Sequence, residues 1–233
     1  MSRTLISLVS DQTLPNVLFI KQFGPFDRYV FVTTRRMERK EIADNIIKAS
    51  GLTRIEKMEV EAEKVFDILE KLDQLVFSRG EEIVVNITGG TKMMSLGAYA
   101  AFSRLDHEKV EIFYMPIDSP SVYQIYPDNR EIPLVAQVTL DQYLSAYGVD
   151  IIEYENLNCY VSKLEESERL LKIIDKGVVP GKINNALRDD YRKPDKPFYL
   201  GKWLEIYTAF FIQNLWDIPE SNIQLNMKLT RTN

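Results

Sequence analysis

The chain has 233 residues, 45% of them hydrophobic, enough for one large domain or two small ones with packed cores. Its net charge of −5 disfavours a broad nucleic-acid-coating surface and leaves only local basic groups, Arg35–Arg36, Arg39–Lys40 and Lys182, Arg188, Arg192, Lys193 and Lys196, for which a solvated face is the simpler account. A single cysteine, Cys159, and a single histidine, His107, exclude an internal disulfide, a Cys-based zinc site and a histidine-centred triad.

No apolar run is long enough to span a bilayer, and Met1-Ser2-Arg3 leads into a strand-like segment without a signal-peptide pattern, so a cytoplasmic location is expected. TLISLVS (4–10) reads as a strand. A helix starts near Thr13-Leu14-Pro15, proline suiting the first turn, with Val17, Leu18, Ile20 and Phe23 on its apolar face. RYVFVTT (28–34) is a second strand. Residues 38–50 form an amphipathic helix stopped by Gly51, 54–60 a weaker strand, and 62–77 a helix burying Val65, Phe66, Ile68, Leu69, Leu72 and Val76.

The next segment, EEIVVNITGGTKMMSLGAYAAF (81–102), carries the most chemistry. A buried-type strand enters Thr88-Gly89-Gly90-Thr91-Lys92 and continues into a nearly uncharged helix. Amides at such an end lack intrahelical partners and the macrodipole adds about half a positive charge, so an anion is favoured; adjacent glycines allow close approach and Lys92 adds a full charge. The spacing is not that of a Walker A loop. A plain strand-to-helix turn remains the alternative, and packing on the sheet is the simpler role for the helix that follows, with a dimer contact as the other.

After a further strand at 109–117 the pattern turns antiparallel: 121–127 and 131–139 flank the turn Asp128-Asn129-Arg130, and 141–147 is a short helix ending at Gly148, where the first domain ends. Ser162-Lys163-Leu164-Glu165 has capping-box spacing and opens a helix that stops at Gly177; a polar stretch, 184–197, connects onward. Trp203, Leu204, Tyr207, Phe210, Phe211 and Leu215 give a wide apolar helix face, and Ile223, Leu225, Met227 and Leu229 alternate with polar residues as a half-buried strand. The repeated strand–helix units predict an α/β, Rossmann-like, mainly parallel sheet with helices on both faces. Ligands then lie beyond the carboxyl ends of the strands, where Ser10–Thr13, Thr33–Arg35 and Thr88–Lys92 converge. The usual GxGxxG dinucleotide fingerprint is missing from the first turn.

VNITGGTKMMSLGA, the opening LVSDQTLPNVLFIKQF and the order of elements between them resemble the CARF domain, the CRISPR-associated Rossmann fold that senses cyclic oligoadenylates; the resemblance covers residues 1–148. GKWLEIYTAFFIQN followed by NIQLNMKL resembles the start of a restriction-endonuclease-like PD-(D/E)xK domain, as in CARF-fused effector nucleases of type III CRISPR immunity. The expected organisation is therefore a sensing domain (1–148), a helical linker or bridging region (149–200) and the N-terminal part of a nuclease-like domain (201–233).

The resemblance implies a homodimer whose two CARF domains enclose a ring of adenylates, here cyclic tetra-adenylate, a two-fold ligand suiting a two-fold interface. Thr88, Gly89, Gly90, Thr91 and Lys92 match the family's ligand loop, and Ser10, Asp11, Gln12, Thr13 and Asn16 its first-strand loop. Thr33, Thr34, Met115 and Pro116 are assigned by position at the rim. Ligand sensing implies no cofactor. Glu205 matches the helix acid of the nuclease metal site, which in a complete enzyme implies Mg or Mn and a single- or double-stranded nucleic acid substrate. The family's catalytic aspartate and (D/E)xK pair have no counterpart before Asn233, and Lys228 and Arg231 do not replace them, so little or no nuclease activity is expected of this chain alone. Two other readings stay open: a ring nuclease that cleaves its ligand in the CARF pocket, and a CARF-type transcription regulator. Against the second, the C-terminal part has no convincing helix-turn-helix.

Overall fold

Strands apolar on both sides are those covered on both faces, and the computed structural model places them so; it describes residues 2–105, 109–175 and 198–231. Seven strands form one sheet: β1 (Arg3–Leu8), β2 (Arg28–Thr33), β3 (Glu56–Glu59), β4 (Glu82–Asn86), β5 (Val110–Tyr114), β6 (Ser121–Tyr126) and β7 (Arg130–Pro133). Their spatial order is β3-β2-β1-β4-β5-β6-β7. The first five pair in parallel and the last two continue antiparallel, which is the α/β, Rossmann-like arrangement expected.

Side chains alternate between two cores. Leu5, Phe31, Val84 and Phe113 point to one face, covered by α1 (Leu14–Phe23), α3 (Ile42–Ser50) and α6 (Leu140–Ala146). Ile6, Leu8, Val30, Val32, Ile83 and Val85 point to the other, covered by α4 (Val65–Leu72) and α5 (Lys92–Ser103). The last two helices meet closely: a Cβ on Gly97 would lie 2.8 Å from Ile68 Cγ2. Gly97 thus serves an intramolecular contact.

Several local expectations are corrected. The helix expected over 38–50 is two helices, α2 (Arg35–Arg39) and α3, because Glu41 adopts a left-handed conformation (φ 55°) between them. α4 is shorter than expected and buries Ile68 and Leu72, whereas Phe66 is 87% and Val76 81% exposed. Phe66 lies two residues from Ile68, on the other side of a 3.6-residue helix. Residues 134–139 carry no strand; Gln22 holds the segment instead, its side chain bonded to Pro133 O, Val135 N and Ala136 N at 2.9–3.1 Å. A capping box does occur, at Thr139 and Gln142 on α6.

Residues 151–230 form a second compact unit. Strands β8 (Val149–Asn156), not anticipated from the sequence, and β9 (Gln224–Arg231) make a two-stranded sheet, so β9 finds its partner within this chain. Ser162 lies inside a 3-10 turn, Leu157–Lys163, and α7 (Leu164–Asp175) begins after it rather than at a cap on Ser162. Leu170 of α7 packs with Phe198 and with Trp203 and Ile206 of α8 (Trp203–Trp216). The apolar face expected of α8 is only partly buried: Leu204, Phe211 and Leu215 are exposed, as are Met227 and Leu229 of β9. Glu155 ties this unit together, accepting hydrogen bonds from Tyr160, from Lys202 at 2.8 Å and from Asn226. The Lys202 bond, followed by that from Tyr160, holds its carboxyl below the ordinary value. His107, the helix stop at Gly177 and the stretch 184–197, with the basic residues Lys182 to Lys196, lie outside the described residues.

Candidate ligand site

Connections leave β1 and β4 in opposite directions along the sheet, opening a crevice at their carboxyl ends. The loop after β4 is built from its own polar groups. Asn86, fully buried, donates to Ser7 Oγ at 3.1 Å and accepts from Thr88 N at 3.1 Å and Thr88 Oγ1 at 2.6 Å. Thr88 Oγ1 in turn accepts the Met115 amide at 2.8 Å. Gly89 lies against β1 so closely that a Cβ would stand 2.2 Å from Leu8 O, and Gly90 has φ +77°. Both glycines are required by the backbone path. Thr91 caps α5, accepting from Met94 N at 3.3 Å and donating to Ala62 O at 2.6 Å. The two threonine hydroxyls are therefore committed inside the loop, and what the turn offers outward is backbone at a helix N-terminus and the exposed Lys92.

The first-strand loop is anchored by Asn16, whose Nδ2 donates to Leu8 O at 3.0 Å. Thr13, Asn16 and Thr33 are fully buried. They support the crevice floor and are not at its surface. Thr34 caps α2, accepting from Met37 N at 3.3 Å.

A cavity of about 820 Å³ opens at this edge, lined by Ser10, Asp11, Thr34, Arg35, Arg36, Gly90, Thr91 and the β3–α4 loop from Glu59 to Lys64. A second, of about 510 Å³, lies on the α1 and α6 side and takes in Gln12, Met115 and Pro116. The predicted residues are thus divided: Ser10, Asp11, Thr34, Gly90 and Thr91 line the first cavity, Gln12, Met115 and Pro116 the second. Thr13, Asn16, Thr33, Thr88, Gly89 and Lys92 line neither.

Charge in the first cavity is largely paired. Asp11 bridges to Arg36 at 3.0 Å and Lys40 at 2.5 Å, and Glu61 to Lys64 at 2.8 Å, a hydrogen bond that raises the Lys64 pKa. Arg35, which lines the cavity, and Lys92, which lies outside its lining, have no such partner among the described residues, which leaves them free to meet an anion. Sequence reading places Arg35 in the converging loops without giving it a contact, and passes over the Glu59–Lys64 loop. Arg35 is detectable as the cation directly after the Thr33-Thr34 strand end; Glu59–Lys64, with three acids and one lysine, carries no such mark.

Glu205 stands in the second unit, exposed on α8 beside a cavity of about 560 Å³ lined by Leu204, Ala209, Ile212, Ile223 and Leu225. Among the described residues no three His, Cys, Asp or Glu side chains come together. These residues do not fit a divalent ion on their own. No described helix is long and apolar enough to cross a membrane.

Comparison with solved structures finds this fold elsewhere. Can2 from Sulfobacillus thermosulfidooxidans, in complex with cyclic tetra-adenylate, matches with TM-score 0.70 at 22% identity, over 97% of this chain and 71% of its own. Protein VC1899 from Vibrio cholerae matches with TM-score 0.72 at 15% identity, over 99% and 73%. A type III CRISPR defence DNA nuclease activated by cyclic oligoadenylate matches with TM-score 0.64 at 18% identity, over 93% of this chain but 35% of its own. At such identities the likeness is one of fold. No curated protein matches. Residues 4–143, more than half of the chain and including both ligand-edge loops, match the family described as the Card1 CARF domain, and it is to this CARF family that the chain belongs.

Proposed function

We propose that this chain is the cyclic oligoadenylate sensor of a type III CRISPR ancillary effector, with cyclic tetra-adenylate as its ligand. The observation that carries the reading is the Gly89–Lys92 turn, set beside the first-strand loop at the β1/β4 crevice in a CARF-family chain. Helix-end amides and Lys92 supply positive potential for phosphate, and Arg35 adds a second unpaired cation across the crevice. Can2, of the same fold, was solved with cyclic tetra-adenylate, which supports the ring size.

The working unit is a homodimer. Leu96 and Tyr99, exposed to 59% and 39%, project from α5 with exposed Ala100 at helical spacing, an uncharged stripe opposite the buried Met94, Ala98 and Ala101. Covering that stripe with a second copy places two ligand loops around one two-fold axis. A ligand that binds better across the closed pair than the open one shifts the population toward the closed pair. In the complete protein that shift would act on a nuclease domain of which Glu205 is one carboxylate, with Mg or Mn and a nucleic acid substrate supplied there.

Calorimetric titration with cyclic tri-, tetra- and hexa-adenylate tests the reading. The tetramer is expected to bind at one ring per two chains. Absence of binding to all three rings would remove the sensor assignment.

A further inference from the structure

We propose that the second cavity at the ligand edge is an adenine pocket, in which Tyr143 and Tyr147 supply a stacking surface and Gln12 reads the base; this rests on the sensor reading above. The cavity of about 510 Å³ is of a size typical for small-molecule sites, roughly 300–1,000 Å³. Leu14 and Leu18 of α1 and Met115 after β5 form apolar walls. Tyr143 of α6 and Tyr147 at its C-cap, four residues apart, are 43% and 46% exposed, and their ring centroids lie 5.2 Å apart. Large aromatic rings left half open beside an apolar slot suit a flat π-system, and a nucleobase is that ligand in a nucleotide site.

Adenine in particular is indicated by Gln12. Its exposed side-chain amide has no hydrogen-bond partner among the described residues, and one amide donor and one acceptor complement the N7 and N6 groups of adenine together. Gln12 also fixes where the base sits relative to phosphate. Asp11 lines the first cavity and Gln12 the second, so the first-strand loop is the wall between them, and consecutive Cα atoms are only about 3.8 Å apart. A nucleotide lying over this wall reaches both.

The pocket is held in shape before ligand arrives. Thr139 and Gln142 cap α6, Gln142 Oε1 also accepts from Lys21 Nζ at 2.7 Å, and small buried Ser145 and Ala146 seat the helix. Tyr143 and Tyr147 therefore project from a braced helix, and both can be replaced without opening the core.

Equilibrium binding of cyclic tetra-adenylate and cyclic tetra-inosinate to the wild type, Tyr143→Leu/Tyr147→Leu and Gln12→Ala tests the assignment. The double leucine variant is expected to weaken cyclic tetra-adenylate roughly tenfold or more, and Gln12→Ala to lose most of the preference for adenine over hypoxanthine, which presents an acceptor in place of the N6 donor. A wild type that binds tightly while the leucine and Gln12 variants keep its affinity and base preference would overturn the pocket and leave the sensor reading intact. A wild type that binds neither ring would overturn the sensor reading itself.

Discussion

Thr88 Oγ1 accepts the Met115 amide N–H at 2.8 Å, joining the end of β4's loop to the end of β5. The hydroxyl also donates to Asn86 Oδ1 at 2.6 Å, so a residue expected from the sequence to meet the ligand spends its polar groups on the shape of its own loop. Thr88→Val keeps the side-chain volume and leaves the Met115 N–H without its acceptor. The expected cost is about 1–3 kcal/mol of folding stability, read as a lower urea midpoint at unchanged slope, with Thr88→Ser recovering most of it.

The exposed stripe on α5 gives a second test. Glutamate at Leu96 or Tyr99 puts charge where a second copy would sit, at positions already open to solvent. Sedimentation of Leu96→Glu/Tyr99→Glu is expected to give a monomer with the wild-type melting profile and at least tenfold weaker ring binding. A dimer of undiminished strength would place the interface on another face.

Glu111 lies on the sheet edge opposite the ligand. Burial, and then the neighbouring Glu82 carboxylate, push its pKa above the ordinary 4.5. An acid raised on folding costs stability wherever it is ionised in the folded state, and the cost vanishes at pH below 4.5, where both states are protonated. Glu111→Gln keeps an acceptor for Gln124 Nε2, now at 2.8 Å. Its melting temperature is expected to exceed that of the wild type at neutral pH and to converge with it in acid. A difference independent of pH would contradict the assignment.

The sheet and its ligand edge were legible because β1, β2 and β4 are apolar on both sides, β2 and β4 end in Thr33 and Asn86, and β1 runs on into Ser10 before a helix. Helix faces were harder. Phe66 and Val76 count as core by composition but are exposed, and Leu96 and Tyr99 sit within one turn of buried Ala98; one sequence does not distinguish a side chain that meets its own sheet from one that meets another surface. Glu41 breaks a helix with no glycine to mark the left-handed turn. β8 is a weaker signal than β9: Ile152 and Tyr154 alternate with Glu153 and Glu155 for only two periods, and both apolar side chains are exposed. Within the site, loop positions followed from spacing, but hydroxyl partners did not: that Thr91 turns to Ala62 O and Arg35 stays unpaired depends on segments distant in sequence.

The most direct test of the sensor assignment is titration of cyclic tetra-adenylate into the wild type and Lys92→Ala side by side. Lys92 is exposed and makes no bond to other described residues, so its removal leaves the fold alone. The expected result is saturation of the wild type at one ring per two chains, with affinity at least tenfold weaker in the variant at an unchanged melting temperature. Equal affinity in the two proteins, or no heat with the wild type, would contradict the assignment of the Gly89–Lys92 turn as the phosphate-binding element.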